Sequence, residues 1–244
     1  MTFESSIATQ QLRFYDTATY PCSYLPGQIA RSQVAAPTHL VGESACSDLI
    51  EMGFRRSGAY IYRPHCESCH ACISMRLPVA KFVASRSQRR AWQKHAALQA
   101  TLSAPSFVDE HYALYGRYQK SRHPGGGMDR DDVDQYLDFL VKSHVSSFLV
   151  EFRLPGPDGG SGALKMVSII DRLFDGLSAV YTFYAPEPGQ SFGSFSILWQ
   201  VRLAQQLGLS HLYLGYWIEQ CEKMSYKARF RPHERFVDGR WVMA

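Results

Sequence analysis

Apolar positions change their spacing several times along the chain, and each change marks an element. In the first hundred residues they come in short bursts. Segments 59–63 and 73–79 alternate as strands do, and 42–52 shows the three-and-four spacing of a helix. At 85–98 the helical spacing returns: Ser85 stands at the N-cap, Ala91, His95 and Leu98 share one face, and Arg86, Arg90 and Lys94 recur on another. The run Leu102-Ser-Ala-Pro-Ser106 breaks the pattern, because Pro105 resists helix continuation. It divides a small cysteine-bearing domain, 1–103, from a second domain, 104–244.

The second domain predicts two helices, 107–121 and 131–143, on either side of His123-Pro-Gly-Gly-Gly127, a glycine loop with the composition of a mobile lid. Three strands follow at 147–154, 162–171 and 176–185, rich in Val, Ile, Phe and Tyr and separated by turn sequences, which read as an antiparallel meander. A helix at 195–207, stopped by Gly208, and a strand at 211–214 complete the order αα-βββ-α-β. That order resembles the GNAT acetyltransferase superfamily, in which a helix N-terminus cradles a phosphate-bearing acyl donor. The fold expected is therefore α+β: a small cysteine-containing N-terminal α/β domain, then a GNAT-like domain with a mostly antiparallel sheet.

Composition narrows the class. An apolar fraction of 45% with 13% aromatic residues suits a globular chain. No apolar run approaches the roughly 18 residues of a membrane span, and the first twenty residues lack a basic segment followed by an apolar one, so a cytosolic protein without membrane contact is expected. In that compartment the six cysteines are thiols, metal ligands or core residues before they are disulfides. The net charge of +4 is mild, but between Ser68 and Val108 there is no Asp or Glu, while Arg76, Lys81, Arg86, Arg89, Arg90 and Lys94 all fall there. Arg86, Arg89, Arg90 and Lys94 are candidates for gripping RNA phosphates, against the plainer reading of a solvated helix face.

Three further groups carry candidate chemistry. Gln190-Ser-Phe-Gly193-Ser-Phe195 precedes the last long helix, so backbone N–H groups there suit a phosphate or a developing oxyanion. The spacing resembles the GNAT donor loop, Q/R-x-x-G-x-G/A, except that Phe195 takes the last small position, which argues against coenzyme A. Cys66-Glu-Ser-Cys69-His-Ala-Cys72 with Cys22 supplies four soft ligands for zinc or an iron–sulfur cluster, against the alternative of reduced structural thiols. Tyr181, Phe183, Tyr184, Tyr213, Tyr216, Trp217 and Tyr226 suit either a pocket for an apolar side chain and an adenine, or a sheet core. Glu219, Lys223 and Lys227 are candidate polar participants beside them.

Read in order, Cys22-Ser-Tyr-Leu-Pro26, Gly53-Phe-Arg-Arg-Ser-Gly58, Tyr62-Arg-Pro64, the cysteine triplet, Ser85-Arg-Ser-Gln-Arg-Arg90, Tyr181-Thr-Phe-Tyr184, Leu214-Gly-Tyr-Trp-Ile218 and Asp238-Gly-Arg-Trp241 resemble the bacterial aspartate/glutamate leucyltransferases, relatives of the eukaryotic arginyl-tRNA–protein transferases. The likeness runs from about Phe14 to Trp241. It implies transfer of leucine from leucyl-tRNA to proteins beginning with Asp or Glu, which marks them for degradation by the N-degron pathway, with no cofactor required. The family usually has an aspartate before the proline that here follows Ala185, so that carboxylate has no counterpart.

On this resemblance, Gln190, Phe192 and Gly193 are expected at the donor's 3′ end or the oxyanion, Tyr184, Ser191 and Tyr216 in positioning roles, and Asp171 as proton acceptor. Arg55, Arg56 and Arg76 are the candidates for the acceptor's carboxylate, which an arginine fork grips bidentately. Two enzyme alternatives are an acetyl-coenzyme A-dependent acetyltransferase and a leucyl/phenylalanyl-tRNA transferase acting on N-terminal Lys or Arg, the latter calling for an acidic acceptor pocket. A zinc-stabilised RNA-binding module would leave the second domain without a purpose.

Overall fold

A computed structural model describes residues 11–125 and 132–244. The fold is α+β. Small strands come first: β1 (Arg13–Asp16), β2 (Tyr20–Pro21), β3 (Ile29–Ala30) and β4 (Ser32–Ala36), followed by helix α1 (Glu43–Glu51) and strands β5 (Arg55–Ser57), β6 (Tyr60–Pro64) and β7 (Ile73–Pro78). Helix α2 (Arg86–Lys94), strand β8 (Gln99–Ser103), helices α3 (Asp109–Arg122) and α4 (Val133–Tyr136), and strands β9 (Ser147–Pro155), β10 (Ser161–Arg172) and β11 (Gly176–Tyr184) come next. The chain closes with α5 (Phe192–Gln206), β12 (His211–Trp217), α6 (Glu222–Ser225), β13 (Glu234–Val237) and β14 (Arg240–Met243).

The order αα-βββ-α-β is present from α3 to β12. Eight strands form the main sheet in the order β14-β13-β7-β12-β11-β10-β9-β8, antiparallel except for the pair β11–β12. Two of them, β7 and β8, precede residue 104, so segments on both sides of the 103/104 junction share this sheet. Met75, Leu77, Phe152, Met166, Leu177 and Leu212 pack on one face of it against Phe195, Leu198 and Val201 of α5. Leu149, Val167, Ile169, Val180 and Phe183 face Leu114, Tyr115 and Tyr118 of α3 with Tyr136 and Leu140. A four-stranded sheet, β1-β4-β6-β5, packs with α1 around Ala35, Ile61, Ala45 and Leu49, and this core reaches Leu173, just after β10, and Tyr213 of β12.

Local chemistry explains several limits. Helix α2 starts at a reciprocal capping box: Ser85 Oγ accepts from the Gln88 amide at 3.3 Å, and the Gln88 side chain accepts from the Ser85 amide at 2.8 Å. The second helix expected in the larger domain is a short α turn that continues as a π turn over Leu137–Val141. Part of the expected glycine lid and the start of that helix, residues 126–131, lie outside the described residues. Helix α5 begins at Phe192 instead of 195, which draws Gly193 into its first turn. Among the described residues no helix is long and apolar enough to cross a membrane.

One feature of the main sheet positions everything that follows. Strands β11 and β12 are parallel and pair only at Gly176↔His211, Leu177↔Leu212 and Ser178↔Tyr213, although β11 continues to Tyr184 and β12 to Trp217. Beyond Ser178 the two strands part, and backbone groups that a neighbouring strand would satisfy need other partners.

Candidate active site at the parting of two strands

Two cations fill that parting. Arg55 of β5 donates through Nη2 to the Val180 carbonyl at 2.9 Å, on the β11 side. Lys227 donates through Nζ to the carbonyls of Leu214 at 2.8 Å and Tyr216 at 2.6 Å, on the β12 side. Gly215 lets the arginine in: its φ is +67°, and a Cβ there would stand 3.1 Å from Arg55 Cδ. Tyr24, Tyr62, Tyr181 and Tyr216 surround the guanidinium. Burial works against the Arg55 charge, but the oxygens of Tyr62, Tyr24, Tyr216 and Tyr181 outweigh it and hold its pKa above the ordinary value. For Lys227 burial comes first and the nearby Arg55 second, and together they lower its pKa to about 7. Among the described residues neither cation has a carboxylate partner.

The α5 terminus adjoins this opening. Its N-cap, Ser191, sits at φ 56° and ψ 29° and makes no side-chain cap, so the first-turn amides are left to an outside acceptor. The hydroxyl of Tyr184 lies 3.9 Å from where a Cβ on Gly193 would stand, which places a phenol over this turn. Phe192 is buried against the His95 ring, with centroids 4.4 Å apart. The same His95 hydrogen-bonds the Gln190 carbonyl through Nε2, and Lys94 donates to the Gly189 carbonyl at 3.1 Å. Tyr226 has its phenol pushed up to about 12 by burial and then by Tyr184, with Arg122 and Arg55 acting the other way, so it lies within electrostatic reach of both the helix terminus and the strand parting.

Other expected residues are committed elsewhere. Asp171 is fully buried and bonded bidentately by Arg56, at 2.6 Å from Nε and 2.7 Å from Nη2, with Ser147 donating to it at 2.6 Å. That geometry takes Asp171 away from an acceptor amine and Arg56 away from an acceptor carboxylate. Arg56 also donates to the Gly58 carbonyl at 2.8 Å; Gly58, at φ +59°, stands where any Cβ would fall on the Asp138 carbonyl oxygen. Arg76 is equally occupied, 2.6 Å from Glu51, 2.6 Å from Glu234, and 4.4 Å above the Trp241 ring. The Tyr216 hydroxyl donates between the carbonyls of Gly53 and Tyr62, at 3.2 and 3.1 Å, so this phenol braces the small sheet against β12.

The cysteines gather without forming a metal centre. Cys22, Cys66, Cys69 and Cys72 line one cavity of about 350 Å³ in the small domain, together with Tyr24, Tyr62 and Tyr216. Among the described residues no group of three or more His, Cys, Asp or Glu is arranged to hold a metal ion. Cys22 Sγ accepts from the Leu25 amide at 3.4 Å, and Cys66 Sγ lies 3.7 Å from the Arg31 carbonyl. Burial, then Cys22, Cys66 and Cys69, push the Cys72 thiol up to about 12. The expectation of zinc or an iron–sulfur cluster is thus not supported. On α2, Arg86, Arg89 and Arg90 are exposed, with Arg89 donating to the Ala84 carbonyl at 2.6 Å.

Comparison with known proteins places these features. The family described as the N terminus of arginine-tRNA-protein transferase matches residues 20–90, and the family described as its C terminus matches residues 110–237. The chain belongs to the arginine-tRNA-protein transferase family. Arg55 comes from the first matched segment of that family, and Val180 and Lys227 from the second, so the two segments meet at the strand parting. Proteins named aspartate/glutamate leucyltransferase are 54% identical in Chromobacterium violaceum over 94% of this chain and 93% of that protein, and 51% identical in Polynucleobacter asymbioticus over 99% and 98%. In Nitrosospira multiformis the figures are 52% identity over 98% and 93%. Among solved structures, L-PGS from Bacillus licheniformis overlaps 61% of the chain and 47% of that protein at a TM-score of 0.46 and 10% identity. Overlap at that level assigns nothing further.

Sequence reasoning reached Arg55 but not its separation from Arg56, and it named Lys227 without its environment. His95 went unremarked as a site residue; its signal was its place on the inner face of α2, toward the loop at 189–192.

Proposed function

We propose that this member of the arginine-tRNA-protein transferase family transfers leucine from leucyl-tRNA to the N-terminal α-amine of proteins beginning with Asp or Glu, in the cytoplasm, marking them for degradation by the N-degron pathway. The near-full-length relatives carrying that activity in their names support the substrates. The observation that carries the reading is Arg55: a guanidinium among tyrosines, without a carboxylate partner among the described residues, where β11 and β12 part.

An aminoacyl ester is already activated, so the transfer needs no cofactor; the protein has to align amine and carbonyl, accept a proton and stabilise the oxyanion. Arg55 takes the side-chain carboxylate of the acceptor. The open first turn of α5, with Gln190, Ser191, Phe192 and Gly193 beneath Tyr184, takes the donor's 3′ end and the oxyanion. Arg86, Arg89 and Arg90 take phosphates of the tRNA, and Lys94 carries that surface to the loop. An acceptor beginning with Lys or Arg would meet Arg55 with like charge, which disfavours the leucyl/phenylalanyl alternative.

The test supplies leucyl-, arginyl- and phenylalanyl-tRNA with peptides beginning with Asp, Glu, Lys or Ala and identifies products by mass. Leucine on the Asp and Glu peptides alone is expected; leucine on the Lys peptide, or none on the acidic ones, would reject the reading.

A further inference from the structure

The reaction needs a proton acceptor, and neither Asp171 nor position 185 provides one. Asp171 is enclosed by Arg56 and Ser147, and position 185 is Ala. Burial raises the phenols around the parting, Tyr24, Tyr181 and Tyr226 to about 12 and Tyr216 higher still, so they remain protonated near neutral pH. Arg55 holds its proton.

Lys227 is left. It is 6% exposed, and the groups that face it are Arg55 from β5, Cys221 just ahead of α6, and the carbonyls of Leu214 and Tyr216 on β12. A neutral amine has two N–H bonds and one lone pair. The two carbonyls absorb two N–H bonds, which leaves the lone pair as the one unengaged valence of the nitrogen. Protonated, the same nitrogen would carry a third N–H and a full charge beside a guanidinium in a buried site.

We infer that Lys227 is the base that accepts the proton from the acceptor α-amine as that amine attacks the leucyl ester, and that returns it to the departing ribose oxygen. This rests on the transfer reaction proposed above. The amine nitrogen bonds to the ester carbonyl carbon, the carbonyl pair moves to its oxygen, and one N–H proton passes to Lys227 Nζ. As the oxygen pair re-forms the carbonyl, the bond from carbon to the ribose 3′-oxygen breaks, and that oxygen takes the proton from Nζ. The lysine ends as it began. Bonds to Leu214 and Tyr216 fix its position through the cycle.

The experiment measures single-turnover transfer from leucyl-tRNA to a Glu-initiated peptide between about pH 5.5 and 9 for wild type and for Lys227→Arg, which keeps the cation and hydrogen-bond donors but cannot accept a proton. Wild type is expected to rise through an inflection near 7. Peptides whose α-amines differ in basicity move a second inflection and leave this one in place. Lys227→Arg is expected to lose at least about 100-fold in rate, the usual scale of general-base catalysis, with leucyl-tRNA binding unchanged and a melting temperature lowered by the fixed charge beside Arg55. Activity of Lys227→Arg within about threefold of wild type would overturn the assignment alone. A wild-type profile without the fixed inflection near 7 would overturn it as well, and needs no variant to fold. Absence of leucine transfer by wild type would overturn the reaction reading and the assignment together.

Discussion

Arg55 and Arg56 are neighbours on one short strand, and alternation along β5 sends them to opposite surroundings. Arg56 meets a carboxylate bidentately at 2.6 and 2.7 Å, with Ser147 completing the set, and becomes a neutral strut between the small sheet and β10. Arg55 meets four tyrosines and a strand carbonyl, and its charge stays available. The residue type is the same. What differs is the group each faces, and that decides whether an arginine holds the fold or waits for an anion.

The largest effect should come from breaking the strut. Arg56→Met leaves Asp171 without its partner at 0% exposure, so a loss of about 3–5 kcal/mol in urea unfolding is expected. Arg56→Met with Asp171→Leu should recover most of it, because an apolar pair of similar volume removes the stranded charge. A single substitution costing under about 1 kcal/mol would show that the small sheet is held to β10 by other contacts.

The opposite pattern is expected one residue away. Arg55→Gln should leave stability within about 1 kcal/mol, since a polar side chain still reaches the Val180 carbonyl. Leucine transfer to Asp- and Glu-initiated peptides should fall about 100-fold, roughly 2.7 kcal/mol, while leucyl-tRNA binding holds within about threefold. Equal loss of tRNA binding and transfer would mean that Arg55, like Arg56, is a support.

This pair also shows how far the sequence is legible. Strands β9, β10 and β11 and helices α2, α3 and α5 follow from periodicity and caps because each buries a repeating apolar face. β1, β5 and β13 are not legible: Arg13-Phe-Tyr-Asp16 is exposed throughout, Arg55-Arg56-Ser57 is polar, and Glu234-Arg-Phe-Val237 carries two charges, so it is pairing, with β4, the adjacent β6 and the distant β7, that makes them strands. The arginines were legible as cations, and the family as a set of motifs. Which arginine is neutralised was not, because Asp171 lies 115 positions from Arg56 and only the fold brings them together. The cysteine spacing suggested a metal, and the four thiols do line one cavity, but among the described residues no group of three or more is arranged to hold an ion.

Lys227 allows a smaller test, through pH. Its pKa is lowered to about 7 in the folded protein, by burial and then by Arg55, against 10.5 when unfolded. Below about 7 both states hold the proton and the slope is flat; between about 7 and 10.5 the unfolded chain binds more protons, so stability rises with pH. The slope from this group approaches at most about 1.4 kcal/mol per pH unit. Urea unfolding of wild type and Lys227→Met at pH 7 and 8.5 should show the difference between them growing in favour of wild type. A constant difference would place the lysine's titration outside that window.

The smallest effect belongs to the exposed arginines, and it extends the comparison to a third environment. Arg86 and Arg90 face solvent on α2, where a charge is neither neutralised as Arg56 is nor enclosed as Arg55 is. Water and salt already screen it, so each should act on tRNA only by releasing counterions from a phosphate it replaces. Arg90→Gln is then expected to weaken leucyl-tRNA binding several-fold at low salt and to reduce the slope of log affinity against log salt by about 0.7–0.9, with melting temperature and the peptide preference unchanged. A slope that does not move would make this face of α2 solvated surface, and would leave the tRNA to the α5 side of the cleft, where Lys94 and His95 hold the 189–192 loop.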